Sequence, residues 1–129
     1  MPGEIKAVLS DKACSFPPGL FHHAKVYNGV VYCAGQVGAD VSGKLVSSDI
    51  KEQTAQMFRN IESILTAAGS SLDRVLKVNL YLVDKEDYPG MNEVYKEMMP
   101  DPKPPRACVF ISGLPGGAKV EMECVAAQK

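Results

Sequence analysis

The chain has 129 residues, 46% of them apolar and 22% charged, which suits one compact domain over 1–129 that buries a real core without staples or a metal. A formal net charge of −1 and a pI near 6.1, with no run of Lys or Arg, disfavour nucleic acid as an obligate partner. No stretch approaches the roughly 20 apolar residues of a membrane span, and Met1 to Lys12 has neither a signal-peptide core nor the Arg-rich character of a transit peptide, so a cytoplasmic location is expected, a mitochondrial one being left to a form that has lost its presequence.

Lys25 to Ala34 (KVYNGVVYCA) reads as two short strands joined at Asn28-Gly29, a dipeptide that supplies positive φ at both central positions of a tight hairpin turn. Gly35-Gln36-Val37-Gly38 ends the second strand, and Ser42-Gly43 makes another turn. Ser47, Ser48 and Asp49 are competent helix caps, with Glu52 three residues after Asp49. Ile50, Thr54, Met57, Phe58, Ile61, Ile64, Leu65 and Ala68 then recur at helical spacing until Gly69 stops the run. A helix this one-sided gains most of its stability by laying its apolar stripe on a sheet. Leu72 to Val83 follows as a strand with Val78, Leu80 and Leu82 on one face and Lys77, Asn79 and Tyr81 on the other. Asp84 to Met99 reads as a second helix, interrupted early by Pro89-Gly90, with Met91, Val94, Tyr95 and Met98 on its apolar side. Pro100, Pro102, Pro104 and Pro105 then form a stiff extended approach to Arg106. The strands around Arg106–Val109 and Val120–Ala126 close the chain.

The expected order is β-β-α-β-α-β-β, an α+β, two-layer domain with a mixed sheet and both helices on one face. The second sheet face, expected to carry Cys33, Tyr81 and Phe110, is too apolar for water, which implies a homo-oligomer that packs sheet faces together. Four cysteines, Cys14, Cys33, Cys108 and Cys124, show no CxxC spacing, and three lie in apolar strand-like runs, as reduced buried thiols do. The His22-His23 pair has no cysteine at ligand spacing, so no metal is expected; two adjacent histidines on a loop read as surface residues.

The chemistry concentrates in the last quarter. Arg106 opens an apolar strand with its backbone positioned by Pro104-Pro105, and its planar fork of donors matches a carboxylate. A strand-end arginine also fits a solvated end or a surface ion pair. Cys108 shares its face and by itself reads as a core thiol, since no histidine stands where it would activate a nucleophile. Glu121 and Glu123 alternate with Val120, Met122 and Cys124 on one strand face, which suits either an outward polar face or a site. The connection Ser112–Lys119 is short enough to return the chain antiparallel and set Glu121 beside the strand of Arg106. Gly35 ordinarily marks a bend, Asn92 a solvated or capping position, and Tyr95 core.

Taken together, Ala34-Gly35-Gln36-Val37, Asn92-x-x-Tyr95, Pro105-Arg106-Ala107-Cys108-Val109, and Leu114-Pro115 followed by Val120-Glu121-Met122-Glu123 resemble the RidA (YjgF-type) family of reactive-intermediate deaminases, over about Phe21 to Ala127. The resemblance implies a chorismate-mutase-like fold, a homotrimer with sheets packed into a central barrel, and sites in the clefts between subunits. It implies hydrolysis of 2-imino acids or their enamine tautomers, such as 2-aminoacrylate, to 2-oxo acids and ammonia without a cofactor. By resemblance Arg106 clamps the substrate carboxylate, Cys108 lines the pocket, Glu121 orients the attacking water, and Gly35 and Asn92 hydrogen-bond substrate or water. Phe21 departs from the family pattern, standing where many active relatives have a tyrosine; it can wall the pocket but offers no hydroxyl. Other readings are a non-catalytic trimer that binds small carboxylates or acts as a chaperone, and the endoribonuclease or translation-inhibitor activity attached to the family name, which the net charge disfavours.

Overall fold

Asn28 and Gly29 take φ values of 50° and 78°, so the hairpin forms where the Asn-Gly dipeptide dictates, joining β2 (Ala24–Tyr27) to β3 (Val30–Val37). The computed structural model describes residues 3–15 and 17–129; Met1 and Pro2, at the head of the Met1–Lys12 segment, and Phe16 lie outside the described residues. Asp49 caps α1 (Ile50–Ala67) by accepting from the Glu52 N–H at 3.0 Å, and Ser47 Oγ donates to the Glu52 carboxylate at 2.6 Å. The first of these satisfies one of the N–H groups that a helix start leaves without a partner. At the other end the chain leaves the helix through Gly69, whose φ of +80° an L side chain rarely adopts. The helical stripe read from spacing is the buried one: Met57, Phe58, Ile61, Ile64 and Leu65 are fully enclosed.

The next strand, β4 (Val75–Leu82), begins after a 3₁₀ turn over Leu72–Arg74. A second 3₁₀ turn over Lys85–Asp87 leads into α2 (Tyr88–Met98), so the helix is shorter than the Asp84–Met99 stretch. Pro89 sits in its first turn, where no N–H is needed, and starts the helix instead of interrupting it. β5 (Arg106–Phe110) and β6 (Val120–Ala127) complete the chain. One strand goes beyond the sequence reading: β1 (Ile5–Val8) pairs antiparallel with β2. Its four residues, three of them exposed, are too short a run to show a period.

The result is a mixed six-stranded sheet in the order β1-β2-β3-β6-β4-β5, in which α1 packs on β3 and β6 and against α2. Among the described residues only the β4–β5 pair is parallel. Val120, Met122, Cys124 and Ala126 of β6 are buried on the helix side, with Val78, Leu80 and Leu82 of β4 beside them. A register step corrects the simple alternation of β3: Cys33 faces Cys124 and Gln36 faces Met122, three residues against two. The extra residue at Ala34–Gly35 is a β-bulge, which keeps both Cys33 and Gln36 on the helix side.

Two residues assigned to the open face belong to the other one. Cys33 is 6% exposed within the core, because Val30/Tyr32 and Val31/Cys33 are equally apolar sets and only the position of α1 chooses between them. Phe110 pairs with Leu82 and stacks on Tyr88 of α2 at a centroid distance of 5.9 Å. The open face carries Ile5, Tyr27, Tyr32, Tyr81 and Val109, of which all but Tyr81 are well exposed. Lys25, Lys77, Asn79, Glu121 and Glu123 share that face, so it is mixed and not uniformly apolar.

Buried polar side chains on α1 hold the loop that joins β3 to α1, and the backbone just before β6, against the helix. Asn60 Nδ2 donates to the carbonyls of Val37 and Ala39 at 3.1 and 2.9 Å, while Gln53 donates to Ser47 O at 2.8 Å and accepts from the Lys119 N–H at 2.9 Å. This draws the β3 exit so close that a Cβ on Gly38 would lie 2.3 Å from the Gln53 carbonyl oxygen. Gly38→Ala is therefore expected to destabilise the protein by about 2 kcal/mol or more in urea unfolding, whereas Gly113→Ala, with nothing within 4 Å of its added methyl, stays within about 0.5 kcal/mol of wild type.

Candidate functional site

Two clusters hold the residues singled out by sequence, and they lie on opposite faces of the sheet. The first surrounds Arg106 at the edge strand. Arg106 pairs with Val78, so its side chain rises on the helix side under α2, where Tyr88, Asn92 and Tyr95 recur at i, i+4 and i+7. Nη2 donates to Asn92 Oδ1 at 2.7 Å and to the Tyr88 hydroxyl at 3.3 Å. The guanidinium carbon lies 4.7 Å from the Tyr95 ring centroid and 6.0 Å from that of Tyr88, within range of a cation–π attraction. None of the ion pairs among the described residues involves Arg106. Neutral and aromatic groups thus hold the cation and leave it able to receive an anion bidentately. Cys108, two residues on, is half-buried; burial pushes its thiol up, with Arg106 opposing. Burial likewise raises the Tyr95 phenol, again against Arg106.

The second cluster is built by the bulge. Glu121 lies on the open side of β6 with its carboxyl packed against Gly35: a Cβ there would stand 2.8 Å from Glu121 Cδ. Glu121 and Gly35 share a cavity of about 310 Å³ with Cys14, Pro17, Phe21 and Pro115. In that apolar setting burial, with Glu123 adding, holds the Glu121 carboxyl above the ordinary carboxylate range. Glu123 instead accepts from the Tyr81 hydroxyl at 2.5 Å, which raises the Tyr81 phenol.

Structure therefore groups Arg106 with Asn92 and Cys108, and Glu121 with Gly35 and Phe21, but does not set Glu121 beside the strand of Arg106. The β5–β6 connection does return antiparallel, yet β4 lies between the two strands. Arg106 aligns through Val78 with Cys124, three residues from Glu121 and facing the other way. A short connection limits distance, and one strand's width of about 4.8 Å falls inside that limit.

Sequence reasoning missed three participants. Tyr88 stands four residues before Asn92, a spacing that puts both on one helix stripe. Gln36 is buried beside the Glu121 cavity and His23 is wholly enclosed, although the His22-His23 pair reads as a surface loop; His22 is the exposed one. The four cysteines are free thiols, and no metal-ligating cluster occurs among the described residues. A larger open groove of about 1080 Å³ between residues 9–15 and α1 has charges of both signs, Lys12 and Arg59 against Asp11 and Glu62, and gathers no convergent set.

Comparison with known proteins gives a consistent answer. Residues 15–128 match the family described as Endoribonuclease L-PSP. The chain is 42% identical over 111 residues to "Protein mmf1, mitochondrial" of Schizosaccharomyces pombe, a span of 84% of this chain and 68% of that protein. It is 34% identical over 129 residues to the human 2-iminobutanoate/2-iminopropanoate deaminase, covering 99% and 94%. Among solved structures, RidA from the Antarctic bacterium Psychrobacter sp. PAMC 21119 superposes with a TM-score of 0.88 at 35% identity, over 95% of this chain and 98% of that one.

A carboxyl raised by folding stabilises the native state only while it is protonated, so the stability it lends is full below the unfolded value, about pH 4.3, and is lost as pH rises through the folded value. Glu121→Gln, which keeps shape and removes the charge, is expected to match wild type in unfolding free energy near pH 3.5 and to exceed it increasingly toward pH 7, measured by denaturant melts across that range.

Proposed function

The chain belongs to the Endoribonuclease L-PSP (YjgF/RidA) family, and from that premise we propose that it hydrolyses reactive 2-imino acids and their enamine tautomers to 2-oxo acids and ammonia. The observation that carries the reading is the pair of half-sites: an arginine held without a carboxylate partner among the described residues, and a carboxyl whose affinity for a proton is raised by burial in an apolar cavity. Neither suffices alone. On opposite faces of one sheet they do not serve one small substrate within a protomer, which supports sites completed between subunits of a homotrimer whose open faces meet.

In this reading Arg106, steadied by Asn92, clamps the substrate carboxylate, and Cys108 lines the pocket beside it. Glu121 accepts a proton from water as its oxygen adds to the imine carbon. With the imine protonated at the start, the same carboxyl returns that proton to the amino nitrogen of the carbinolamine. The C–N bond then breaks with its electron pair leaving on ammonia, and the carbinol hydroxyl gives its own proton to Glu121 as the carbonyl forms. Burial raises its affinity for protons, which favours the step that takes one from water. The imine carbon is already electrophilic, so positioning supplies most of what is needed and no cofactor enters. Phe21 contributes a wall without a hydroxyl. The human relative's name supports the chemistry, and the fission-yeast relative's name adds a mitochondrial compartment to the cytoplasmic one expected from sequence.

An amino-acid oxidase coupled to this protein, with semicarbazide trapping free imine, tests the proposal. Wild type is expected to compete with the trap. Arg106→Ala should weaken affinity for a 2-oxo acid product about 10- to 100-fold, as loss of a charge-assisted pair does, and Glu121→Gln should lower kcat about 100-fold or more with product affinity nearly kept. Light scattering should give three copies of the 13.9 kDa chain. A trimeric wild type that leaves trapping unchanged would sink the deaminase reading and favour a carboxylate binder.

A further inference from the structure

His23 takes no part in the chemistry proposed above, yet it is fully enclosed where the segment of residues 9–15 crosses the start of β2. Its two ring nitrogens are engaged in opposite senses. The Ser10 backbone N–H, which can only donate, lies 2.9 Å from Nδ1, so Nδ1 presents its lone pair and the proton resides on Nε2. Nε2–H faces the Cys14 carbonyl at 3.0 Å and Ser15 Oγ at 2.8 Å. The same Cys14 carbonyl accepts from Gln36 Nε2 at 3.3 Å, and the imidazole meets the Phe21 ring edge-on at 6.3 Å between centroids.

Cys14, Gln36 and Phe21 are all lining residues of the Glu121 cavity. Among the described residues, the segment carrying Cys14 is also held by Ala13, buried in the core, and by Ser10 Oγ, which donates to Ser63 Oγ at 3.2 Å, while Asp11 and Lys12 are exposed. A buried carbonyl needs donors, and for Cys14 these are His23 and Gln36. We propose that His23 is a positioning residue for the Glu121 cavity, its Nε2–H latching Cys14 beside Gln36 so that the apolar wall of the cavity stays closed. The consequence for turnover rests on the deaminase reading; the latch itself does not.

Two substitutions separate the ring's two ends. His23→Gln carries an amide donor as far as Nε2 and can keep the Cys14 bond, whereas His23→Asn reaches only the Nδ1 position, keeps an acceptor for Ser10, and loses Cys14. Each variant is studied at a temperature where its circular dichroism is native, and the Glu121 carboxyl is titrated by carbon NMR beside the oxidase-coupled assay. The Asn variant is expected to move the Glu121 midpoint down toward ordinary carboxylates as water enters, and to lose kcat roughly 10- to 100-fold with affinity for 2-oxobutanoate unchanged. The Gln variant keeps both. A Glu121 midpoint unmoved in the Asn variant, or moved equally in both variants, overturns the proposal. Should wild type fail to turn over imines, the deaminase reading falls while the midpoint comparison still decides the role of His23.

Discussion

The placement of β6 between β3 and β4 governs the rest of this molecule. That strand pairs with both neighbours along nearly its whole length, and its alternation sends Val120, Met122, Cys124 and Ala126 into the core while Glu121 and Glu123 face away. Burying four apolar side chains against α1 and the neighbouring strands outweighs any preference of the two carboxylates for each other or for Arg106. Once the last strand is central, β5 is left at the edge, and the arginine that opens it can only turn toward α2. Separation of cation and carboxyl is thus a by-product of how the core closes.

The bulge at Ala34–Gly35 is the second consequence of that pairing. It lets β3 keep Val31, Cys33 and Gln36 under the helices while presenting a residue without a side chain to Glu121. Any Cβ at that point would displace the carboxyl, so a glycine that looks like an ordinary bend in sequence is the floor of the cavity. The wall is supplied from further away. Phe21 and Cys14 come from the loop before β2, and the donors that hold Cys14 come from His23 and Gln36, two polar side chains inside an otherwise apolar layer. The network is not fully satisfied, since Gln36 Oε1 is buried without a hydrogen-bond partner, a cost that the bonds to the Cys14 carbonyl must offset.

Arg106 illustrates the complementary strategy. A guanidinium beside a carboxylate is neutralised; one stacked on tyrosine and bonded to an asparagine oxygen keeps its full charge and its free donors. Among the described residues no carboxylate neutralises it. Glu121, with its charge penalised by burial and by Glu123, is prepared in the opposite sense.

Local rules made much of this legible in the chain. The hairpin at Asn28-Gly29, the capped amphipathic α1, the faces of β4 and the shared face of Glu121 and Glu123 follow from turn chemistry and period alone, because each involves neighbours a few residues apart. Family resemblance picked out Arg106, Asn92, Cys108, Gly35, Glu121 and Phe21, and the fold gathers them into two groups instead of one. What the sequence by itself determined was therefore the elements, their caps and which side chains share a strand face. Strand order, the sidedness of Cys33 and Phe110, the bulge beneath Glu121 and the burial of His23 instead of His22 were decided only by the tertiary structure, since each depends on which distant segment packs where, and runs such as Val30–Cys33 or Arg106–Phe110 are apolar on both faces and carry no local preference.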